Sequence, residues 1–313
     1  MKTKQNTYYF LLLLVGMLLC SESFYAQQES QYTQYTYNTM SINPAYTGGR
    51  GRLSVLALYR NQWVGIDGAP ETFNISGHTP LGQTGRVGVG AEFTADKIGP
   101  TTSNIAAGNF SYVIPFSAEF QFSFGIKAGV IDFNLDPDKL NIYDQHGLDL
   151  RNTNRMMPIL GIGTYFYGKN WYVGVSTPNF LETKYFDETK VSTAKQKMHL
   201  YLITGYLLNI SDEVALKPSA LVKSVQGAPL ALDISLNSIF YDRFNLGIAY
   251  RTSAAFNFMT GFQLNDHFMV GYAFDYSTSE LAKYNSGSHE IFLRFELAPL
   301  RYRSIRRGTG PSF

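Results

Sequence analysis

Leu230 to Phe240 reads L-A-L-D-I-S-L-N-S-I-F. Leu230, Leu232, Ile234 and Leu236 fall on one face of an extended chain, and Ala231, Asp233, Ser235 and Asn237 on the other. A repeat of two is the strand repeat, because successive side chains point to opposite faces. The pattern recurs along the chain. Between Phe120 and Val130, Phe120, Phe122, Phe124, Ile126, Ala128 and Val130 oppose Gln121, Ser123, Gly125, Lys127 and Gly129. Val87, Val89, Ala91 and Phe93 oppose Gly88, Gly90 and Glu92; Val270, Tyr272, Phe274 and Tyr276 oppose Gly271, Ala273 and Asp275. Each stretch runs for ~10 residues and ends in Gly, Pro, Asn or Asp. Fourteen such stretches can be marked, near 52–60, 71–79, 85–95, 101–114, 118–131, 158–167, 171–177, 198–209, 213–224, 229–240, 243–251, 255–264, 267–276 and 288–297. Pro218 lies inside one of them and predicts a bulge or local break, since proline cannot donate to a ladder.

The connections alternate in length. Links around Gly82, Pro115, Gly168, Ser211, Asp242 and Asp266 are short, whereas 61–70, 132–157, 178–197 and 277–287 are longer. Short turns on one rim and longer loops on the other mark an outer-membrane barrel. The fold class read here is therefore all-β: a transmembrane antiparallel β-barrel of about fourteen strands with both termini periplasmic. One face of each strand is aliphatic or aromatic, as hydrocarbon contact demands. The other mixes small and polar residues with isolated charges. Arg86, Glu92, Lys127, Lys217 and Lys223 belong to this set, as do Asp233, Arg251, Asp275, Arg294 and Glu296. Both signs occur, so these charges can brace a narrow lumen in pairs or tune its selectivity. The glycines of that face indicate a crowded interior. Tyr59, Trp63, Tyr112, Tyr143, Tyr167, Trp171, Tyr241 and Tyr284 near strand ends are read as aromatic girdles.

Composition supports a membrane barrel and excludes several classes. The chain has 313 residues, 26 Lys and Arg against 24 Asp and Glu, and a formal net charge of +2, which argues against a nucleic-acid binder. Charged residues make up 16% and aromatic residues 15%. The single cysteine excludes a disulfide scaffold. Lys2 and Lys4 precede an apolar run from Tyr8 to Cys20, shorter than a spanning helix. Residues 1–26 are read as a cleaved signal peptide ending at Ala26. Leu19 before Cys20 is too large for lipoprotein processing. The remainder divides into an N-terminal segment at 27–50, periplasmic or in the lumen, the barrel at 51–297, and a basic tail at 298–313. The tail carries Arg301, Arg303, Arg306 and Arg307 and no acid.

Catalytic and metal signatures are weak. Gly85 to Gly90 lies in a strand and opens no helix, so it is no dinucleotide fingerprint. His78, His146, His199, His267 and His289 show no zinc spacing. Ser76 with His78, or Ser288 with His289, lacks a third partner for nucleophilic catalysis. Between Asp132 and Arg155 the chain carries Asp136, Asp138, Asp144 and Asp149 with Lys139 and Arg151, a solvated loop rather than an EF-hand calcium site. No enzyme activity and no cofactor is expected.

Several stretches carry a resemblance. Gln31 to Gly48 reads QYTQYTYNTMSINPAYTG and contains Asn43, Pro44, Ala45 and Tyr46. Tyr59 to Thr72 reads YRNQWVGIDGAPET, beginning with Tyr59, Arg60, Asn61, Gln62 and Trp63. DKIGPT follows at Asp96 to Thr101, YVGVSTPNFL at Tyr172 to Leu181, and LKPSALVKSVQGAPLALD at Leu216 to Asp233. Gly271 to Phe295 includes Tyr284, Asn285, Ser286 and Gly287. Together these resemble the PorP/SprF family of type IX secretion and gliding systems. The resemblance implies a non-enzymatic outer-membrane barrel that helps secrete or anchor cargo such as adhesins with C-terminal sorting domains. It implies periplasmic ring and lipoprotein components as further partners, beside outer-membrane lipid. The residues alone also fit a porin or small-molecule transporter, because fold does not fix function.

Overall fold

The computed structural model describes residues 31–117, 119–136, 153–181 and 197–297. Residues 1–26, read as a signal peptide, and the basic tail at 298–313 lie outside the described residues. The strand segments are β1 (Ser54–Asn61), β2 (Glu71–Leu81), β3 (Val87–Ile98), β4 (Thr101–Pro115), β5 (Gln121–Leu135), β6 (Thr153–Tyr167), β7 (Trp171–Thr177), β8 (His199–Tyr206), β9 (Leu208–Asn209), β10 (Val214–Val225), β11 (Ala231–Phe240), β12 (Phe244–Arg251), β13 (Ala255–Gln263), β14 (Phe268–Ser277) and β15 (Ser288–Glu296). β8 and β9 lie end to end against β10, so the wall has fourteen strands, all antiparallel. β15 pairs back onto β1 and closes the ring. Closure removes the free sheet edges that a membrane does not tolerate.

The ladder breaks where proline demanded. β10 pairs with β8 from Ser219 onward and with β9 at Ala215 and Leu216, leaving Lys217 and Pro218 opposite the interruption between the two segments. On its other edge, Pro218 stays in register with Leu236 of β11. A residue without an N–H can sit in a strand only where one edge asks nothing of it.

Alternation along each strand separates buried from exposed positions. In β5, Ser123, Gly125 and Lys127 are buried, whereas Phe124, Ile126 and Val130 are 40%, 50% and 44% exposed. The exposed face is the lipid surface, and its apolar character follows from the solvent it meets. Ile126→Arg on this face should destabilise the folded barrel by about 2–4 kcal/mol. Tyr284→Arg, in a rim loop, should cost close to nothing. Equilibrium unfolding in lipid vesicles measures both, and similar costs would refute the assignment of the belt. At the short-turn rim, Phe116, Phe120, Phe166 and Trp171 form an outer aromatic cluster with centroids 5.2 to 6.4 Å apart.

Two readings require correction. The connection placed at 132–157 is shorter, because β5 continues to Leu135 and β6 begins at Thr153. Asp132 and Arg155 therefore lie in strands, while Asp138, Lys139, Tyr143, Asp144, Asp149 and Arg151 lie outside the described residues. The strand was missed because its polarity inverts there. Ile131, Phe133, Met157 and Ile159 pack together inside, while Asp132, Asn134 and Asn154 face out. Beyond the hydrocarbon the outer surface meets water, so the apolar side chains turn inward. Tyr167, assigned to a girdle, is also inside: it is buried and its ring lies 5.6 Å from that of Tyr165.

Candidate functional site

The barrel interior is occupied by the chain's own N-terminal segment. Residues 31–50 run through the lumen from the end bearing the long loops to the short-turn rim, where β1 begins. The path contains one helical turn, Thr39–Ile42, and one 3-10 turn, Pro44–Tyr46. Such a segment leaves most of its carbonyls without an internal partner, and a buried carbonyl needs one. The wall supplies donors. Lys127 Nζ donates to Ser41 O at 3.1 Å, Ser176 Oγ to Ile42 O at 2.8 Å, Ser123 Oγ to Ala45 O at 2.8 Å and Ser111 Oγ to Thr47 O at 2.6 Å. The small polar residues on the inner face thus cap the segment's backbone.

Asn43 to Tyr46 form the tightest part of this fit. Asn43 is fully buried; its Oδ1 accepts from Ala45 N at 3.0 Å and its Nδ2 donates to Thr164 O at 3.0 Å. Tyr46 meets His78 and Tyr165 edge-on, at 5.7 and 5.6 Å. The wall needs glycine here. A Cβ on Gly125 would collide with the Pro44 carbonyl and Ala45 N, and one on Gly163 with Asn43 Oδ1. Gly48 N donates to His78 Nδ1 at 3.0 Å. The Tyr35 hydroxyl lies 3.3 Å from Ser235 Oγ of β11.

At the other end, the segment is tied to the seam where the ring closes. Arg60 of β1 faces Glu290 of β15 in register. Its Nη2 lies 2.7 Å from Asp275 Oδ2 and its Nη1 3.1 Å from Glu290 Oε2. Nη1 also donates to Thr33 Oγ1 at 2.8 Å, and that hydroxyl lies 2.7 and 2.8 Å from the two Asp275 oxygens. Thr33 N and Gln34 N donate to the Glu290 carboxylate at 2.9 and 2.8 Å. Arg60, Asp275 and Glu290 are each at most 2% exposed. Next to them, Arg251 Nε bonds both Asp233 oxygens at 2.9 and 3.1 Å, and Nη2 reaches Tyr32 O at 3.4 Å.

Above the seam, two loops interlock. Val64 N donates to Gly287 O at 2.9 Å, Ser286 N to Val64 O at 2.8 Å, and Trp63 N to Ser288 Oγ at 3.1 Å. Asn285 Oδ1 accepts from Gly287 N and Ser277 Oγ, at 2.8 and 3.2 Å. Trp63 adopts φ 51, a left-handed conformation that the interlock holds.

The sequence motifs separated by more than two hundred residues are therefore neighbours. Arg60 and Asn61 stand opposite Glu290 and His289, and Trp63 and Val64 bond Ser288, Ser286 and Gly287 across the seam, while Tyr59 and Tyr284 face outward, 43% and 72% exposed. Of the isolated charges, Glu92 pairs with Lys127, Asp233 with Arg251, and Arg294 with Glu296 at 3.3 Å. Lys217 and Lys223 are buried on β10. Arg86 is half-buried in the turn before β3, with its carbonyl accepting from Val113 N. Sequence reading left Glu290 out of the lumen charges, although the strand alternation puts it on the face of Arg294 and Glu296. It also passed over Arg50 and the serine caps, which no local pattern distinguishes from ordinary inward polar residues.

A family model described as "Type IX secretion system membrane protein PorP/SprF" matches residues 24–295. The chain belongs to the PorP/SprF family. PorP/SprF membership and the lipid-facing barrel make it an outer-membrane protein associated with type IX secretion, and they point to a structural or secretion-associated component. Family membership implies interaction with other components of that system. No curated protein sequence matches the chain. Among solved structures it is similar to the outer membrane protein Omp33 of Acinetobacter baumannii, with a TM-score of 0.46 and 11% identity over 80% of this chain and 100% of that one. It is also similar to the KdgM porin in complex with disordered oligogalacturonate, with 0.39 and 7% over 78% and 99%. A mutant Rhodopseudomonas blastica porin gives 0.34 and 10% over 78% and 99%. At such scores the likeness carries no inference about function.

Proposed function

We propose that this barrel is a non-enzymatic element of the type IX machinery that helps to secrete or anchor cargo proteins, such as adhesins with C-terminal sorting domains. In this reading the signal peptide is cleaved after Ala26, β1 begins and β15 ends at the periplasmic rim, and the long loops face outward. The observation that carries it is the filled interior. A lumen occupied from Thr33 to Gly49 by hydrogen-bonded chain is ill-suited to diffusion, which leaves the rims as working surfaces. The short-turn rim, with the basic tail, would meet ring and lipoprotein components; the loop rim would meet cargo. The family motifs at Tyr59 to Trp63 and Tyr284 to Gly287 brace that loop rim.

The test is affinity purification of the tagged protein from native outer membrane in mild detergent, with partners identified by mass spectrometry. Stoichiometric recovery of a large protein with a C-terminal sorting domain is the expected result for an anchor. Ring components alone would place it in the core machine. A partnerless monomer giving stable channel steps would replace this reading with a porin or small-molecule transporter.

The loop between β7 and β8 provides a finer test. Asn179 Oδ1 accepts from Leu160 N and Leu181 N at 3.3 and 3.1 Å, and Phe180 N donates to Leu160 O at 2.9 Å, so this end of the loop seals the β6 edge. A deletion confined to 182–196 spares those contacts. It should leave the barrel inserted and release cargo from the surface; unchanged display would rule out docking there.

A further inference from the structure

Among the described residues near the short-turn rim, several cations gather around Glu296. Glu296 is paired with Arg50, lies 3.3 Å from Arg294 Nε, and has its second oxygen 3.6 Å from Arg52 Nη1. One carboxylate therefore serves three guanidinium groups. Lys217 adds a fourth cation: its Nζ lies 6.0 Å from the centroid of the Tyr37 ring, and the guanidinium carbon of Arg294 lies 5.4 Å from the same centroid. Both side chains are buried, Lys217 at 4% and Arg294 at 6% exposure.

Arg294 shows the consequence most clearly. Its Nη2 donates to the sulfur of Met269 at 3.0 Å, a weak acceptor, and its Nη1 has no hydrogen-bond partner. A guanidinium does not shed its charge on burial, so it requires a counter-charge or a strong acceptor. Its free edge presents N–H groups in the planar fork that matches two oxygens of one anion, and an ammonium group nearby suits the same anion as a point charge.

We propose that the interior binds one small oxyanion of the phosphate type between Arg294 and Lys217, beside Tyr37. Tyr37 belongs to the N-terminal segment, whereas Arg294 and Lys217 sit on β15 and β10, so the anion would pin the segment to two separate parts of the wall. The phosphate group has two sources, free phosphate and a lipid headgroup. The site faces the lumen rather than the hydrocarbon, which favours free phosphate.

The experiment uses the full processed chain, purified in mild detergent and exchanged into chloride buffer. Equilibrium dialysis against radiolabelled phosphate should give saturable binding of one anion per chain. Arg294→Gln and Lys217→Met should each weaken it about tenfold or more, as loss of a charge-assisted contact does. The lysine variant replaces a chain of similar shape and guards against a folding defect in the arginine variant. Native mass spectrometry of the protein as first isolated separates the sources: a phosphate-mass adduct supports the free anion, whereas a lipid-mass adduct that Arg294→Gln removes supports the same site with a headgroup in it. Absence of both saturable binding and any adduct overturns the proposal, as does phosphate binding that neither substitution weakens.

Discussion

Arg60→Met should remove about 3–5 kcal/mol from the stability of the folded barrel, because it strips the shared cation from two buried carboxylates. Asp275 and Glu290 would remain fully buried and close to each other, and the Thr33 hydroxyl would lose its guanidinium donor. The loss exceeds what a surface ion pair contributes, since solvent cannot screen charges at this depth. It should also loosen the N-terminal segment, which the same carboxylates hold through Thr33 N and Gln34 N. Urea unfolding in lipid vesicles, followed by the fluorescence of Trp63 and Trp171, measures the first effect. Protease cleavage between residues 31 and 50 measures the second. Adding Asp275→Asn and Glu290→Gln to the variant should recover part of the loss, as coupled sites do. A cost below about 1 kcal/mol would mean that the seam is hydrated and that the segment is held elsewhere.

Gly125→Val should convert a closed barrel into a conducting one. The valine Cβ would take the space of the Pro44 carbonyl and Ala45 N, which cannot yield without moving the whole turn. Valine suits a strand, so the wall should survive while the segment leaves. A wall of fourteen strands is wide enough to hold a water-filled passage once emptied, lying between filled eight-stranded barrels and open porins of about sixteen. Planar-bilayer recording should show stable porin-like steps in this variant and in one lacking residues 33–46, and none in the unaltered protein. Inserted variants that stay closed, or an unaltered protein that conducts equally well, would exclude the segment as the barrier.

The barrel was legible because its signal is local. Leu230 to Phe240 and Phe120 to Val130 alternate for a reason that acts residue by residue: each outward side chain meets lipid and its neighbour does not. Strand number and the short-turn rim followed from repeating that reading. It failed where the environment changed along one strand, at Ile131 and Phe133, because the same alternation continued with its sense reversed. It failed again at Tyr167, where an aromatic residue near a strand end lies inside rather than at the interface. Some inward charges could be paired from hairpin register, since Asp233 stands opposite Arg251 across one short turn.

Others could not. Arg60 meets Asp275 and Glu290 only because β15 returns to β1, and Thr33 joins them only because the segment before β1 lies in the lumen. The amino-acid sequence by itself determined the class of fold, the face of each clear strand that meets lipid, and a family whose motifs it carries. The tertiary structure decided what those motifs do to one another and what fills the barrel. The physical reason is range. Lipid contact selects side chains one at a time, but closure of the ring and occupancy of its interior depend on every strand's length and register together.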